Sequence, residues 1–217
     1  MTSIAELVVG GSCEPWEAFG FLTLSSDFDK TTLSLGDLVL IVRPSFAPGM
    51  VSWTLADTSA PLGESFLDSI PTTFRDTHVP LPEVGRQGVG TIGCLGVDHV
   101  VIRTNSLDHT CAAITQTTEA PVKRVRDAGK GVQQAFHKIG SVVIEVVESP
   151  ERVSGTHLWG FVINVANIDA LAEHLGPDVL STPEPATQPG RHIATARSAA
   201  GLGVPFAVMD VLPSWSR

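Results

Sequence analysis

The sequence predicts an α+β fold made of tandem βαβββ modules, whose curved, cup-like mixed sheets pack in pairs. Three observations lead there. Residues 96–148 read in order as a strand, a helix and three strands, and the stretches on either side repeat that order less regularly. LGDLVLIVRPS (35–45) matches IGSVVIEVVESP (139–150), and VIRTNSLDHTCAAI (101–114) matches VINVANIDALAEHL (162–175). The resulting spacing of about 60 residues exceeds the common solenoid periods and suits a small supersecondary module. One such module buries too little apolar surface to stand alone, so modules must pair. Pairing would roll their sheets around a cavity lined by inward-facing side chains.

The elements follow in chain order. Residues 3–10, SIAELVVG, form a strand. Residues 14–21 form a short helix with Pro15 in its first turn, where a missing N–H costs nothing, and Gly20 closes it. Strands at 23–26 and 31–35 flank the polar turn 27–30, and the apolar strand 38–43 stops at Pro44. Residues 50–57, MVSWTLAD, alternate as a strand does. The spacing over 62–70 predicts one or two helical turns. Residues 71–93, rich in Pro and Gly, read as a crossing linker or as an eroded second module.

The central module opens at 96–104, where Val100, Val101 and Ile102 suit a strand buried on both faces. Ser106 is placed to cap a helix over 107–118, which Pro121 stops. Strands at 122–126, 132–138 and 142–147 are separated by Gly129, Gly131 and Gly140, so short turns make them antiparallel neighbours. The last module is a strand at 157–165, a helix at 168–175 with Gly176 at its end, an irregular strand at 178–185, and strands at 190–198 and 204–212. The expected division is an N-terminal region, 1–93, with one module plus a degenerate or linker segment, and a C-terminal domain, 94–217, with two paired modules.

Composition narrows the function classes. The chain has 217 residues, 43% of them hydrophobic, enough for one large or two small domains with a real core. A net charge of -9 without a basic run speaks against nucleic acid, because phosphate contacts need clustered Lys and Arg. Lys123, Arg124 and Arg126 form the longest basic cluster, and alternation along a strand accounts for it. No apolar run approaches the roughly 18 residues of a membrane helix. The first residues lack the basic and apolar regions of a signal peptide. Cys13, Cys94 and Cys111 are too scattered for a disulfide framework, which points to a reducing cytoplasm. With no tyrosine, proton transfer falls to His, Glu, Asp, Lys, Cys or water.

Single residues stay open between two readings each. His99 either faces a cavity or is a hydrogen-bonded structural histidine. Glu145 sits in the apolar run IEVV, where an unpaired charge is costly, so it is a functional carboxylate or the partner of Arg103 or Arg126. One of Gln133 and Gln134 must face inward. Gln134, Arg103, His192 and Trp159 are the candidate substrate contacts. Arg191, His192 and Arg197 alternate across two faces of one strand, and a surface position suits them better than a binding one. His109, His157 and His174 read as surface or helix positions, and Cys111 as core. Trp16, Trp53 and Trp159 either pack or floor a cavity.

The βαβββ repeat, the strand DHVVIRT (98–104) and the strand VVIEVV (142–147) resemble the vicinal-oxygen-chelate superfamily of glyoxalases, extradiol dioxygenases and bleomycin-resistance proteins. The resemblance is best over 96–212, weaker over 3–45 and poor over 46–95. It implies a divalent metal (Zn, Fe, Mn or Ni) held by His99 and Glu145, with open positions for substrate oxygens. The matching positions elsewhere are Gly160 for His99, Ala207 or Val208 for Glu145, and Ile4 and Ile41 in the first module. None can bind a metal. A catalytic metal usually has three protein ligands, and His192, His137 or His78 would have to supply the third from outside the family positions. The absence of a second family histidine argues against iron-dependent ring cleavage.

Two functions are expected from this. One is a glyoxalase-like isomerase or lyase that acts on a small oxygenated molecule, with His99 and Glu145 as acid–base pair or metal ligands. The other is a metal-free protein that sequesters a small molecule, as bleomycin-resistance relatives do. A structural partner module is a third reading. Either of the first two implies a small-molecule partner, no nucleic acid, no membrane, and a monomer or homodimer.

Overall fold

The computed structural model describes residues 1–76, 90–151 and 154–211, so His78 and most of the expected 71–93 linker lie outside the described residues. The first module is β1 (Ser3–Gly10), α1 (Glu14–Ala18), β2 (Thr23–Ser26), β3 (Thr31–Ser34) and β4 (Val39–Arg43). The second is β5 (Gly49–Ala56), β6 (Gly63–Leu67) and β7 (Ile70–Arg75). The third is β8 (Cys94–Thr104), α2 (Leu107–Thr118), β9 (Arg124–Gly129), β10 (Val132–Ile139) and β11 (Val142–Glu148). The fourth is β12 (His157–Val165), α3 (Ile168–Leu175), β13 (Glu184–Pro185), β14 (His192–Thr195), a 3-10 turn at Ser198–Ala200, and β15 (Phe206–Asp210).

The strands form two curled mixed sheets from tandem modules, as the repeat predicts. One has the order β2-β3-β4-β1-β5-β7-β6 and the other β13-β14-β15-β12-β8-β11-β10-β9. The first and last strands of a module pair in parallel, as in β5 with β7, β8 with β11 and β12 with β15. Antiparallel hairpins complete each module.

The second module departs from the sequence reading. Residues 62–70 are not helical. They form β6 and a two-residue turn at Asp68 and Ser69, whose φ angles are 45° and 64°. Two successive positive φ values mark the hairpin turn whose twist matches that of its strands. Asn-Gly or Asp-Gly would have announced it, and Asp-Ser does not. Tertiary contacts hold the conformation instead. The Asp68 Oδ2 accepts the Thr110 hydroxyl at 2.5 Å and the Thr156 hydroxyl at 2.8 Å. Thr104 Oγ1 lies 2.8 Å from Thr110 Oγ1. The turn is thereby tied to the first turn of α2 and to the approach to β12.

Packing groups the chain into two compact units. The first comprises Met1–Val8, Met50–Pro80 and His99–Gly160, and joins the second module to the third. Its core includes Trp53, Leu55, Ile102, Ile114, Ile144 and Val146, all fully buried. The Trp53 indole N–H donates to Thr72 Oγ1 at 2.8 Å, so Trp53 is a packing residue. The N-cap of α2 is Ser106, in extended conformation, but its side chain makes no capping bond. Glu148 Oε2 instead accepts the Leu107 N–H at 2.6 Å, which places a carboxylate at the positive end of the helix.

The second unit comprises Val9–Gly49, Leu81–Asp98 and Phe161–Arg217. Its centre is an aromatic cluster of Trp16, Phe19, Phe21, Phe161 and Phe206, in which Trp16 stacks on Phe161 at 6.0 Å. Trp16 is therefore core. Cys94 and Cys111 are core thiols, and burial pushes them to about 12 and about 11, which leaves them unreactive at neutral pH. No helix among the described residues is long and apolar enough to cross a membrane.

His137 lies on the face of β10 turned to the core and is 1% exposed. Its Nδ1 is 2.9 Å from the Ala120 carbonyl, so Nδ1 carries the proton, and the buried Nε2 has no partner among the described residues. Burial holds this imidazole below its ordinary value of 6.5. The unfolded chain therefore binds a proton that the native state refuses. Stability present at neutral pH should fall as pH drops through 6.5. Chemical denaturation between about pH 7.5 and about pH 5.5 should show this loss in the wild type and a flatter profile in His137→Leu.

Candidate functional site

Strand alternation builds the site. In the parallel pair, Glu145 lies opposite Val101 and Val143 opposite His99. His99, Val101 and Arg103 on β8 therefore share one face with Val143, Glu145 and Val147 on β11. Val100, Ile102, Ile144 and Val146 point the other way and fill the core. In the antiparallel pair, Phe136 lies opposite Glu145 and Gln134 opposite Val147, while Arg126 on β9 faces Gln134. Four adjacent strands thus present His99, Glu145, Gln134 and Arg126 on one face.

These side chains meet. His99 Nε2 is 3.7 Å from Glu145 Oε2, and the two side chains are 18% and 16% exposed, partly shielded from water. Gln134 Nε2 donates to Glu145 Oε1 at 2.6 Å. Arg126 donates to Gln134 Oε1 from Nε at 2.9 Å and also from Nη2. The guanidinium lies 5.8 Å from the centre of the Phe136 ring, a cation–π contact.

The other sequence candidates are placed as follows. Arg103 shares the face, but its Nη2 donates to Ser149 Oγ at 3.3 Å and lies 3.8 Å from the exposed Glu151 carboxylate. Trp159 is 42% exposed and alternates to the face of β12 opposite Gly160. His192 is an exposed residue of the second unit. Its Nδ1 is 3.0 Å from Asp210 Oδ2, and its backbone N–H donates to Asp210 Oδ1 at 2.7 Å. The structure brings His99, Glu145 and Gln134 together and gives Arg103 and His192 partners of their own.

Two residues carry more than their sequence context signalled. Arg126, which the sequence offered beside Arg103 as a direct partner of Glu145, reaches it instead through Gln134. Arg191 is not a surface residue. It is 8% exposed, forms an ion pair with Asp98 at 2.7 Å, and donates to the Asp210 carbonyl at 2.8 Å, Gln188 Oε1 at 2.6 Å and Asn164 Oδ1 at 2.5 Å. Asp98 lies 93 positions away in sequence, so no local pattern could announce the pair.

The fourth module shows what the equivalent positions have become. Val162 pairs with Ala207 as Val101 pairs with Glu145, so Ala207, rather than Val208, stands in the place of Glu145, and Gly160 in that of His99. Ile193 lies opposite Met209 where Gln134 lies opposite Val147. That face is apolar: Val162, Ala207 and Met209 cluster with Ala186 and Ile193. A separate groove of about 350 Å³ in the second unit is lined by Asp169, Ala172, Glu173, Pro177, Leu180, Thr182 and Pro183. None of the candidate residues lines it.

Among the described residues, which do not include His78, the donor set does not fit a catalytic metal centre. Among the described residues, no group of three or more His, Cys, Asp and Glu is placed to hold an ion. His137 is sealed in the core on Ala120, and His192 pairs with Asp210 in the second unit. Of the remaining donors near Glu145, the Gln134 oxygen is taken by Arg126. Two ligands fall short of the three that fix a catalytic ion.

Sequence comparison finds no matching family model and no matching curated protein. Solved structures do match. 4-Hydroxymandelate synthase from Streptomyces coelicolor superposes with a TM-score of 0.67 at 13% identity, over 96% of this chain and 92% of that one. A xylose isomerase-like TIM barrel/4-hydroxyphenylpyruvate dioxygenase fusion protein gives 0.68 at 10% identity, over 99% of this chain and 50% of that one. Methylmalonyl-CoA epimerase from Mycobacterium tuberculosis gives 0.47 at 16% identity, over 57% of this chain and 93% of that one. The fold assignment rests on the first two. These proteins belong to the vicinal-oxygen-chelate superfamily, and this chain has the fold of that superfamily. At such identities the likeness is one of fold, and the chemistry has to be argued from the site.

The Arg191–Asp98 pair supports a stability prediction for the second unit. Arg191→Met should destabilise the protein by about 3–5 kcal/mol, because it takes the guanidinium away from the buried Asp98 carboxylate and from three oxygen acceptors. Thermal unfolding of this variant beside Glu145→Gln, which should melt near the wild type, checks it.

Proposed function

We propose that the protein is a glyoxalase-like enzyme of isomerase or lyase type, acting on a small oxygenated molecule by acid–base chemistry at His99 and Glu145. The observation that supports this most is the convergence of an imidazole and a carboxylate, 3.7 Å apart and partly shielded, beside Val101, Val143 and Val147 on one sheet face. In this reading Glu145 Oε2 removes a proton from the carbon next to a carbonyl. His99 Nε2–H donates to the carbonyl oxygen as charge develops there, giving an enol. When that carbon bears a hydroxyl the product is an enediol; Glu145 then delivers its proton to the former carbonyl carbon while His99 recovers the proton of the other hydroxyl, which completes an isomerisation, and expulsion of a β-substituent as His99 recovers its proton completes an elimination. Residues 94–217 then form the domain that carries the chemistry and residues 1–93 a supporting glyoxalase-like region. The three free cysteines agree with a cytoplasmic setting. Either a monomer or a homodimer is compatible with this chemistry.

A second reading is favoured by one observation. The fourth module has Gly160, Ala207 and Ile193 where the third has His99, Glu145 and Gln134, so half of the repeated face has no reactive group. A metal-free protein that binds and sequesters a small molecule accounts for that loss equally well.

Proton NMR in D₂O decides between them. A panel of 2-oxo acids, hydroxyketones and acyl thioesters is incubated with the protein, and loss of the signal next to the carbonyl is followed. The enzyme reading expects exchange of at least one class and a drop of roughly 10²–10⁴-fold in Glu145→Gln. Full activity in that variant would sink it. Ligand-induced thermal stabilisation without exchange for any class would favour sequestration.

A further inference from the structure

Behind Glu145 stands an ordered chain of donors and acceptors. A guanidinium only donates and an ionised carboxylate only accepts. An amide between them satisfies both in one orientation, with its oxygen on the guanidinium and its NH₂ on the carboxylate. Gln134 has this orientation: Oε1 receives Arg126, and Nε2 donates to Glu145 Oε1 at 2.6 Å. One carboxylate oxygen is thereby tied, and the other faces His99 Nε2 at 3.7 Å. Phe136, opposite Glu145 in the ladder, lies against the guanidinium and helps to seat it.

This arrangement bears on metal binding directly. His99 and Glu145 would need a third protein donor to hold a divalent ion. The neutral lone pairs nearest to them, on the Gln134 oxygen, are committed to a cation. A metal at this position would also stand close to the positive charge of Arg126.

We propose that Arg126 and Gln134 are positioning residues that together orient the Glu145 carboxylate as a metal ion otherwise would, and that they exclude a divalent cation from the His99–Glu145 pair. The guanidinium charge, delivered through the amide, balances the carboxylate. This deepens the acid–base reading and rests on it only for what Glu145 does to a substrate; metal exclusion is measurable without any substrate.

Zn²⁺ and Ni²⁺, titrated separately into the full chain by calorimetry near neutral pH, test it. The signal that matters is the part lost on His99→Ala, which removes background binding by other histidines. The wild type should show no such part. Arg126→Met should gain it, at an affinity roughly tenfold or more tighter than the weakest binding the titration detects, because the Gln134 oxygen is released. Arg126→Lys should behave as the wild type. Arg126 is on β9, an edge strand whose residues are almost all exposed, so its loss leaves the core intact. The double variant Arg126→Met with Gln134→Glu supplies two carboxylates and one imidazole and should bind most tightly. Wild-type binding that disappears in His99→Ala overturns the proposal. So does unchanged metal affinity in both Arg126→Met and the double variant. If these titrations come out as expected while Glu145→Gln keeps its turnover, the relay stands and only the catalytic role of Glu145 falls.

Discussion

A carboxylate in the middle of an apolar strand has to be held by something, and much of the local architecture of the third module answers that demand. Glu145 is flanked by Ile144 and Val146, whose side chains are fully buried on the opposite face. Its own side chain is turned to a face where the neighbouring strands supply partners. β8 brings His99 on one side, and β10 brings Gln134 on the other. β9, one strand further out, brings Arg126 to Gln134. The charge of Glu145 is thus answered by a cation two strands away, through an amide whose orientation is fixed by what lies at each end.

The same logic recurs where no chemistry is proposed. Asp68 occupies a turn that its sequence does not favour, and it is held by the Thr110 and Thr156 hydroxyls. Glu148 caps α2 where Ser106 makes no capping bond. Arg191 gathers Asp98, Asn164, Gln188 and the Asp210 carbonyl around one guanidinium. Each case puts a charged group among long-range neutral or opposite-charge partners, which is the condition under which buried charge is tolerated. The paired modules are stitched together by such contacts as well as by apolar packing.

The contrast between the repeats is equally informative. The register that places Glu145 in the third module places Ala207 in the fourth, and the position of His99 becomes Gly160. The backbone pairing is the same, and a small apolar cluster stands where the third module has its polar set. The second module has gone further and retains three strands without a helix among the described residues. A repeated framework can tolerate this because parallel pairing of its outer strands depends on the backbone, whereas a polar site depends on every member being present.

By itself, the sequence determined the module order and most strand and helix positions, because those follow from local periodicity and from glycine and proline punctuation. It also singled out His99 and Glu145 as unusual residues in apolar strands, and Gln134 as one of two glutamines that had to face inward. It could not see β6 in residues 62–70, because an Asp-Ser turn is stabilised by α2 and the approach to β12 rather than by its own residues. It could not rank Arg126 above Arg103 as the partner behind Glu145, since that depends on which strand lies next to β10. It placed Arg191 at the surface because its anion is 93 residues distant. Local signals lie within a few residues of each other in the chain; hydrogen bonds and ion pairs join residues that only the folded strand order makes neighbours.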